Sequence, residues 1–292
     1  MSPDEVIVTG YGWEDGGVFL RVRSLDQGDT DQWVLEDHVC FRVTEQRRCV
    51  GHSSAKGFVP CPHQAEPVMG SQCEECVSAD LYRPCLICDG TRCPRGPRVL
   101  RERCDAPHVL YLACFGEPQL KVGTAALHRR TARVVEQGPL AAARIARASG
   151  PTIKQMESHL SKSGYTETMR RAKKTALLQS SMTQEEARTL VEEAASSVSD
   201  LLPEEFHAWL HPLEWVEQPE WAQASRSLAF QELPVQEDTV IEGDVVGAVG
   251  QVLFLEDETG RYALDMGSLR TRVIQRNPEG PVARPTVQLG LF

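Results

Sequence analysis

The sequence predicts an α+β fold: a small α/β core, a cysteine-rich segment braced by metal before it, and β-rich parts at both ends. Three observations point there. Runs of β-branched and aromatic residues broken by glycine turns fill residues 1–50 and 222–292. All ten cysteines lie between Cys40 and Cys114. Helical periodicity is confined to the middle of the chain and is plainest from Thr183 onward.

Length and charge bound the rest. A chain of 292 residues can bury a real core. Its net charge of −10 hides a partition. From Arg92 to Lys174 there are 17 Lys and Arg against 6 Asp and Glu, a local net of +11. From Thr183 to Asp265 there are 3 against 19, a net of −16. Such segregation makes a basic patch on an acidic body, which fits a phosphate-bearing partner: DNA or RNA bound through residues 92–174. Two oppositely charged domains docked on each other would give the same counts. No apolar run approaches the ~20 residues that cross a bilayer. The opening MSPDEVIVTG lacks the basic and apolar regions of a signal peptide. The chain therefore reads as cytoplasmic, with no membrane partner, and its thiols as reduced.

Residues 1–46 form the β-rich start, with EVIVTGY, GVFLRVRSL and WVLEDHVCFRV as strands and Trp13, Trp33 and Phe41 as core. Residues 47–107 show no hydrophobic period and cannot fold on apolar burial alone; metal ligation is the natural substitute. Cys73-x2-Cys76 and Cys85-x2-Cys88 are the central words, because two thiolates of one tight turn can meet a tetrahedral ion. One partition gives Cys49, Cys61, Cys73 and Cys76 to one Zn²⁺ and Cys85, Cys88, Cys93 and Cys104 to a second. The other is a single ribbon of Cys73, Cys76, Cys85 and Cys88; two ions are favoured, because eight cysteines lie inside the irregular segment. His52 and His63 are alternative ligands in either case. Four thiolates close the coordination sphere, so the zinc is read as structural. Cys40 and Cys114 sit in strand-like runs and read as buried apolar residues.

In residues 108–178, Val109–Phe115 and Leu120–Thr124 flank Gly116-Glu117-Pro118 and predict a β-hairpin. Alternation puts Tyr111 on the face of Val109 and Ala113, opposite Leu110, Leu112 and Cys114. Lys121 lies in the partner strand, and Gly123 leaves room for close approach. Arg129, Arg130 and Arg133 crowd a short helix ended by Gly138, and Pro139 suits the first turn of a following helix, LAAARIARA. In the next helix Ile153, Met156 and Leu160 make an apolar stripe beside Glu157, a carboxylate that needs a salt bridge or a metal there. TMRRAKKTALL is a basic helix candidate.

The segment 179–221 is helical: Thr183-x-x-Glu186 is a capping box, and Pro203 opens a short helix, EEFHAWL. Residues 222–292 return to strands, with a hairpin turn at Asp257–Gly260, and are predicted to pack with residues 1–46. NPEGPVARPTVQLGLF reads as an extended tail.

The order strand-Tyr, strand-x-x-Gly, arginine helix, glutamate helix resembles the GIY-YIG nuclease superfamily over about 60 residues. Val109-Leu110-Tyr111 stands for its first triplet and Lys121-Val122-Gly123 for its second. The cysteine-rich lead-in, the EQG after Arg133 and GQVLFLEDETGRYALDMGSL resemble an uncharacterised bacterial family containing such a core. The resemblance implies a metal-dependent enzyme hydrolysing phosphodiester bonds of DNA or RNA. In such a site Tyr111 helps activate water, Arg133 (or Arg130) stabilises the phosphoryl charge, and Glu157 holds one Mg²⁺ or Mn²⁺. Two departures stand out: Val109 replaces the first glycine, and Lys121 replaces the usual tyrosine, so it must act as a cation or as a base of lowered pKa. A non-catalytic nucleic-acid-binding or regulatory protein on the same fold, or a small-molecule enzyme reusing the pocket, are the alternatives.

Overall fold

The computed structural model describes residues 5–26, 28–91 and 98–276. Cys93 and the C-terminal tail fall outside them. The chain forms two compact units: residues 1–80 with 220–292, and residues 81–219. The division falls inside the cysteine-rich segment, whose first half belongs to one unit and second half to the other.

Strands β1 (Glu5–Glu14), β2 (Gly17–Ser24), β3 (Thr30–Val34) and β4 (His38–Arg47) open the first unit. The two-residue turn between β1 and β2 is Asp15-Gly16, both at positive φ, the mirror-image turn whose twist matches a hairpin. A small hairpin, β5 (His52–Ser54) and β6 (Gly57–Val59), lies between Cys49 and Cys61, and helix α1 (Glu74–Ala79) follows Cys73 and contains Cys76.

The second unit contains α2 (Arg98–Asp105), β7 (Pro107–Cys114), β8 (Lys121–Ala126), α3 (Ala132–Val135), β9 (Ala141–Ser149), α4 (Gly150–Lys162), α5 (Arg171–Leu177), α6 (Gln184–Leu201) and β10 (Leu210–Trp215). The chain then returns to the first unit with α7 (Glu220–Ser225), β11 (Gln231–Glu232), β12 (Thr239–Val249), β13 (Val252–Asp257), β14 (Gly260–Asp265) and β15 (Arg272–Arg276). Strands from the two chain ends share one nine-stranded sheet in the order β11-β14-β13-β12-β4-β15-β1-β2-β3. Because β15 lies between β1 and β4, neither end of the chain can complete this sheet alone.

The second unit is built on a four-stranded sheet, β10-β9-β7-β8. On one face Leu110, Leu112, Cys114 and Val122 pack against Ile153, Met156 and Leu160 of α4 and Ala187, Val191 and Val198 of α6. Helix α6 starts with the expected capping box, Thr183 and Glu186 exchanging side-chain and backbone hydrogen bonds. On the other face Val109, Tyr111, Ala113 and Phe115 meet Ala125, Val134 and Val216, with Met169 and Leu177 alongside. The alternation read from the sequence thus separates two cores.

Several sequence expectations need correction. LAAARIARA is not a helix: it is strand β9, between β7 and β10. Alanine favours a helix in isolation, but here small side chains let both faces of an inner strand be covered, and tertiary packing overrides propensity. The 179–221 segment is not wholly helical either, since LHPLEW is strand β10 and EEFHAW a 3₁₀ turn. Cys40 is half-exposed in β4, whereas Cys114 is fully buried.

Gly123 lies directly across from Tyr111 in the β7–β8 hairpin. A Cβ there would sit 2.4 Å from Tyr111 Cζ and 2.4 Å from its hydroxyl oxygen. The glycine is required by the ring and not by a turn. Gly123→Val is expected to destabilise by at least about 3 kcal/mol through overpacking. Urea denaturation measures it, and a cost below about 1 kcal/mol would show that the ring can move aside.

Candidate metal centre and basic cleft

Cys49 ends the run after β4, Cys61 follows β6, and Cys73 and Cys76 flank the start of α1. All four thiols are buried, and their sulfurs lie within 4.8 Å of one another. Cys61 Sγ and Cys73 Sγ are 3.8 Å apart, the edge expected of a tetrahedron with Zn–S bonds of about 2.3 Å. The Cys73 and Gly51 amides donate to Cys49 Sγ at 3.2 and 3.4 Å, the support a thiolate requires. Buried Arg23 donates to the Cys49 and Val50 carbonyls and brings a positive charge beside the sulfurs. Burial pushes the Cys49 and Cys76 thiols up. Burial would raise Cys61 as well, but the Ala65 and His63 amides and the neighbouring thiols bring it below its ordinary value. These four cysteines can hold a zinc ion.

The single-ribbon alternative is not assembled, since Cys73 and Cys76 share their site with Cys49 and Cys61. Neither histidine joins this cluster: His63 Nε2 pairs with Glu75 at 3.2 Å, and the buried Nδ1 of His52 has no partner. Cys85, Cys88 and Cys104 are half-buried in the second unit and, among the described residues, form no comparable cluster. Cys93, the fourth member of that set, lies outside the described residues.

The second unit brings Tyr111, Lys121, Arg133 and Glu157 within electrostatic reach of one another. They do not share an open surface. Tyr111, Lys121 and Glu157 are 1 %, 6 % and 7 % exposed, and only Arg133 of the four is open to solvent. The Tyr111 hydroxyl accepts a 2.6 Å bond from Gln137 Nε2, which also donates to the Arg133 carbonyl. Burial pushes the phenol up, against the Gln137 bond and the Arg133 charge.

Lys121 donates to the carbonyls of Val122 and Glu167. The Glu167 carbonyl arrives because residue 166 bridges the edge of β8 beside Lys121. The ammonium is lowered to about 8, chiefly by burial; Glu157 opposes this, and the Arg133 and Lys154 charges add to it. Glu157, one turn along α4 from Ile153, takes a 2.6 Å ion pair from Lys154. It belongs to no group of three potential metal ligands among the described residues. A lone carboxylate can still hold Mg²⁺ when waters and a substrate phosphate complete the shell, but here Lys154 competes for it.

Because the folded Lys121 titrates near 8 and an unfolded lysine near 10.4, the unfolded chain binds more protons between those values. Stability from this group therefore rises with pH across that window, by about 3 kcal/mol, and below pH 8 the full burial cost remains. Lys121→Met should remove the slope: wild type minus variant, by urea melts at pH 7.5 and 10, is expected to shift by about 2 kcal/mol, since pH 10 stops short of the unfolded value. An unchanged difference would mean that the ammonium is not buried.

Beside this buried group opens a cleft of about 520 Å³. Arg133, Lys154, Arg129, Arg101 and Arg103 line it, with His108 and His128; Asp105 is the single carboxylate among its lining residues. Arg129 is held by a two-oxygen contact to Glu136 at 2.7 Å. Arg133 has no ion-pair partner among the described residues. Arg130 points elsewhere, donating to the Leu127 carbonyl at the surface. Tyr82, Leu86, Cys85, Cys88 and Cys104 also line it, with Arg103 stacked 4.2 Å over the Tyr82 ring. Sequence reasoning missed Lys154, Gln137, Tyr82 and Leu86. Lys154 was legible as an i,i+3 partner of Glu157; residues as distant as Tyr82 and Lys154 carry no local signal of their meeting.

The chain belongs to the family described as protein of unknown function (DUF2797), whose model matches residues 36–271. No curated protein and no solved structure matches it. Among the described residues no helix is long and apolar enough to cross a membrane.

Proposed function

We propose that residues 81–219 form a GIY-YIG-like module that binds the phosphodiester backbone of DNA or RNA in the basic cleft, and that the four-cysteine centre holds a structural zinc. One observation carries the binding reading: five Arg and Lys side chains converge on one cleft against a single carboxylate. Arg129 and Lys154 already carry ion pairs, to Glu136 and Glu157, but the lining stays net cationic, and a polyphosphate chain supplies anions to it at fixed spacing. The order β7, β8, α3, α4 supports the likeness, with Tyr111, Lys121, Arg133 and Glu157 at the corresponding points. Fluorescence anisotropy with labelled DNA and RNA oligonucleotides is expected to give binding that weakens steeply with salt. Absence of binding at low salt would overturn the proposal.

Hydrolysis is the second reading, favoured by the lowered Lys121 amine within reach of Glu157 and Arg133. Against it stand the buried Tyr111 hydroxyl and the Lys154–Glu157 pair. If the module cuts, cleavage of the same oligonucleotides requires Mg²⁺ or Mn²⁺ and falls at least a hundredfold in Glu157→Ala. Cleavage that survives this change would remove Glu157 from any catalytic role.

A further inference from the structure

We infer that the cleft takes one unpaired nucleotide, base inward, so that its ligand is single-stranded nucleic acid and not a duplex. This deepens the binding reading above and rests on it. Its lining joins two chemistries. Arg129, Arg133 and Lys154 can hold phosphate oxygens. Tyr82 and Leu86 line the same cleft and offer a base π-stacking and apolar contact. Arg103 stacks over one face of the Tyr82 ring and holds it in place.

Size and exposure agree with this division. About 520 Å³ lies in the range of clefts that enclose a small molecule, and it suits one nucleotide. A base-paired helix keeps its bases stacked and could offer the cleft only its phosphate ridge. At the tip of the turn between Cys85 and Cys88, Leu86 is 80 % exposed and Ile87 88 % exposed. Leu86 lines the cationic cleft yet is held in solvent, with Ile87 next to it in the chain, and this makes sense if an unstacked base covers it. Residues Arg83–Ile87 form a 3₁₀ turn with proline in its first turn, which presents the pair on a stiff support.

The experiment compares three ligands of equal phosphate count by anisotropy with the full chain: a single-stranded oligonucleotide, the same strand built of abasic sites, and a duplex carrying that number of phosphates. The single strand is expected to bind at least tenfold tighter than either of the others. Leu86→Ser, a change at an exposed side chain, should cost the intact strand several-fold and the abasic strand nothing, with the salt slope unchanged. Equal affinity for intact and abasic strands, or tighter binding of the duplex, would overturn the nucleotide pocket and leave phosphate binding standing. Binding of none of the three would overturn both.

Discussion

Cys73→Ser is expected to strip zinc from the four-cysteine centre and to cost the first unit much of its stability. The wild-type chain should carry one equivalent of zinc at this site, and the variant should lose it by elemental analysis. Apparent zinc affinities of about 10–16 kcal/mol in Cys-rich sites are folding energy, because no preformed site exists in the unfolded chain. Even a loss of about 5 kcal/mol would lower the melting temperature by at least 10 °C for a unit of this size. The effect should be local to the ligand set: Cys40→Ser, at a half-exposed strand position, should change neither zinc content nor melting. Full zinc content and an unchanged melting point in Cys73→Ser would contradict the centre. The chemistry leaves little room for another role, since the four sulfurs are buried together, and burial alone would hold Cys49 and Cys76 protonated.

The second large effect is expected from Arg133→Glu. Arg133 is exposed, lines the cleft and has no ion-pair partner among the described residues, so the fold should tolerate the change. Reversing its charge removes one phosphate contact and adds a repulsion. A loss of at least tenfold in affinity near 100 mM salt is expected, with the slope of log K against log salt shallower by about 1. Arg147→Glu provides the control, an exposed arginine on β9 that does not line the cleft, and should cost less than threefold. Equal losses at the two positions would mean that general charge, and not the cleft, governs binding.

Local features were the most legible in the sequence. The Thr183–Glu186 box, the Asp257–Gly260 turn and the β7–β8 hairpin each depend on residues within a short reach, whereas the register that sets Tyr111 across from Gly123 came only with the structure. The pair Cys73-x2-Cys76 was legible because thiolate spacing is chemically narrow, but spacing left open whether Cys49 and Cys61 or Cys85 and Cys88 would complete its site. Strand β9 was not, because an alanine- and arginine-rich run carries helix propensity until two neighbouring strands pair with it. That the ends of the chain would contribute to one sheet could be expected, but not that β15 would enter between β1 and β4. The site divides in the same way. Tyr111, Lys121, Arg133 and Glu157 could be named from their order. Their burial, the Lys154–Glu157 pair and the Gln137 bond to Tyr111 arise only from packing. These contacts shift the balance from cutting toward binding.

The most direct test of the central claim is the salt dependence of oligonucleotide binding by the intact wild-type chain. With several of the five cleft cations engaging phosphates of a single strand, log K should fall against log salt with a slope of about −2 to −3.5. A flat dependence, or no binding at low salt, would contradict a phosphate-binding cleft on this fold.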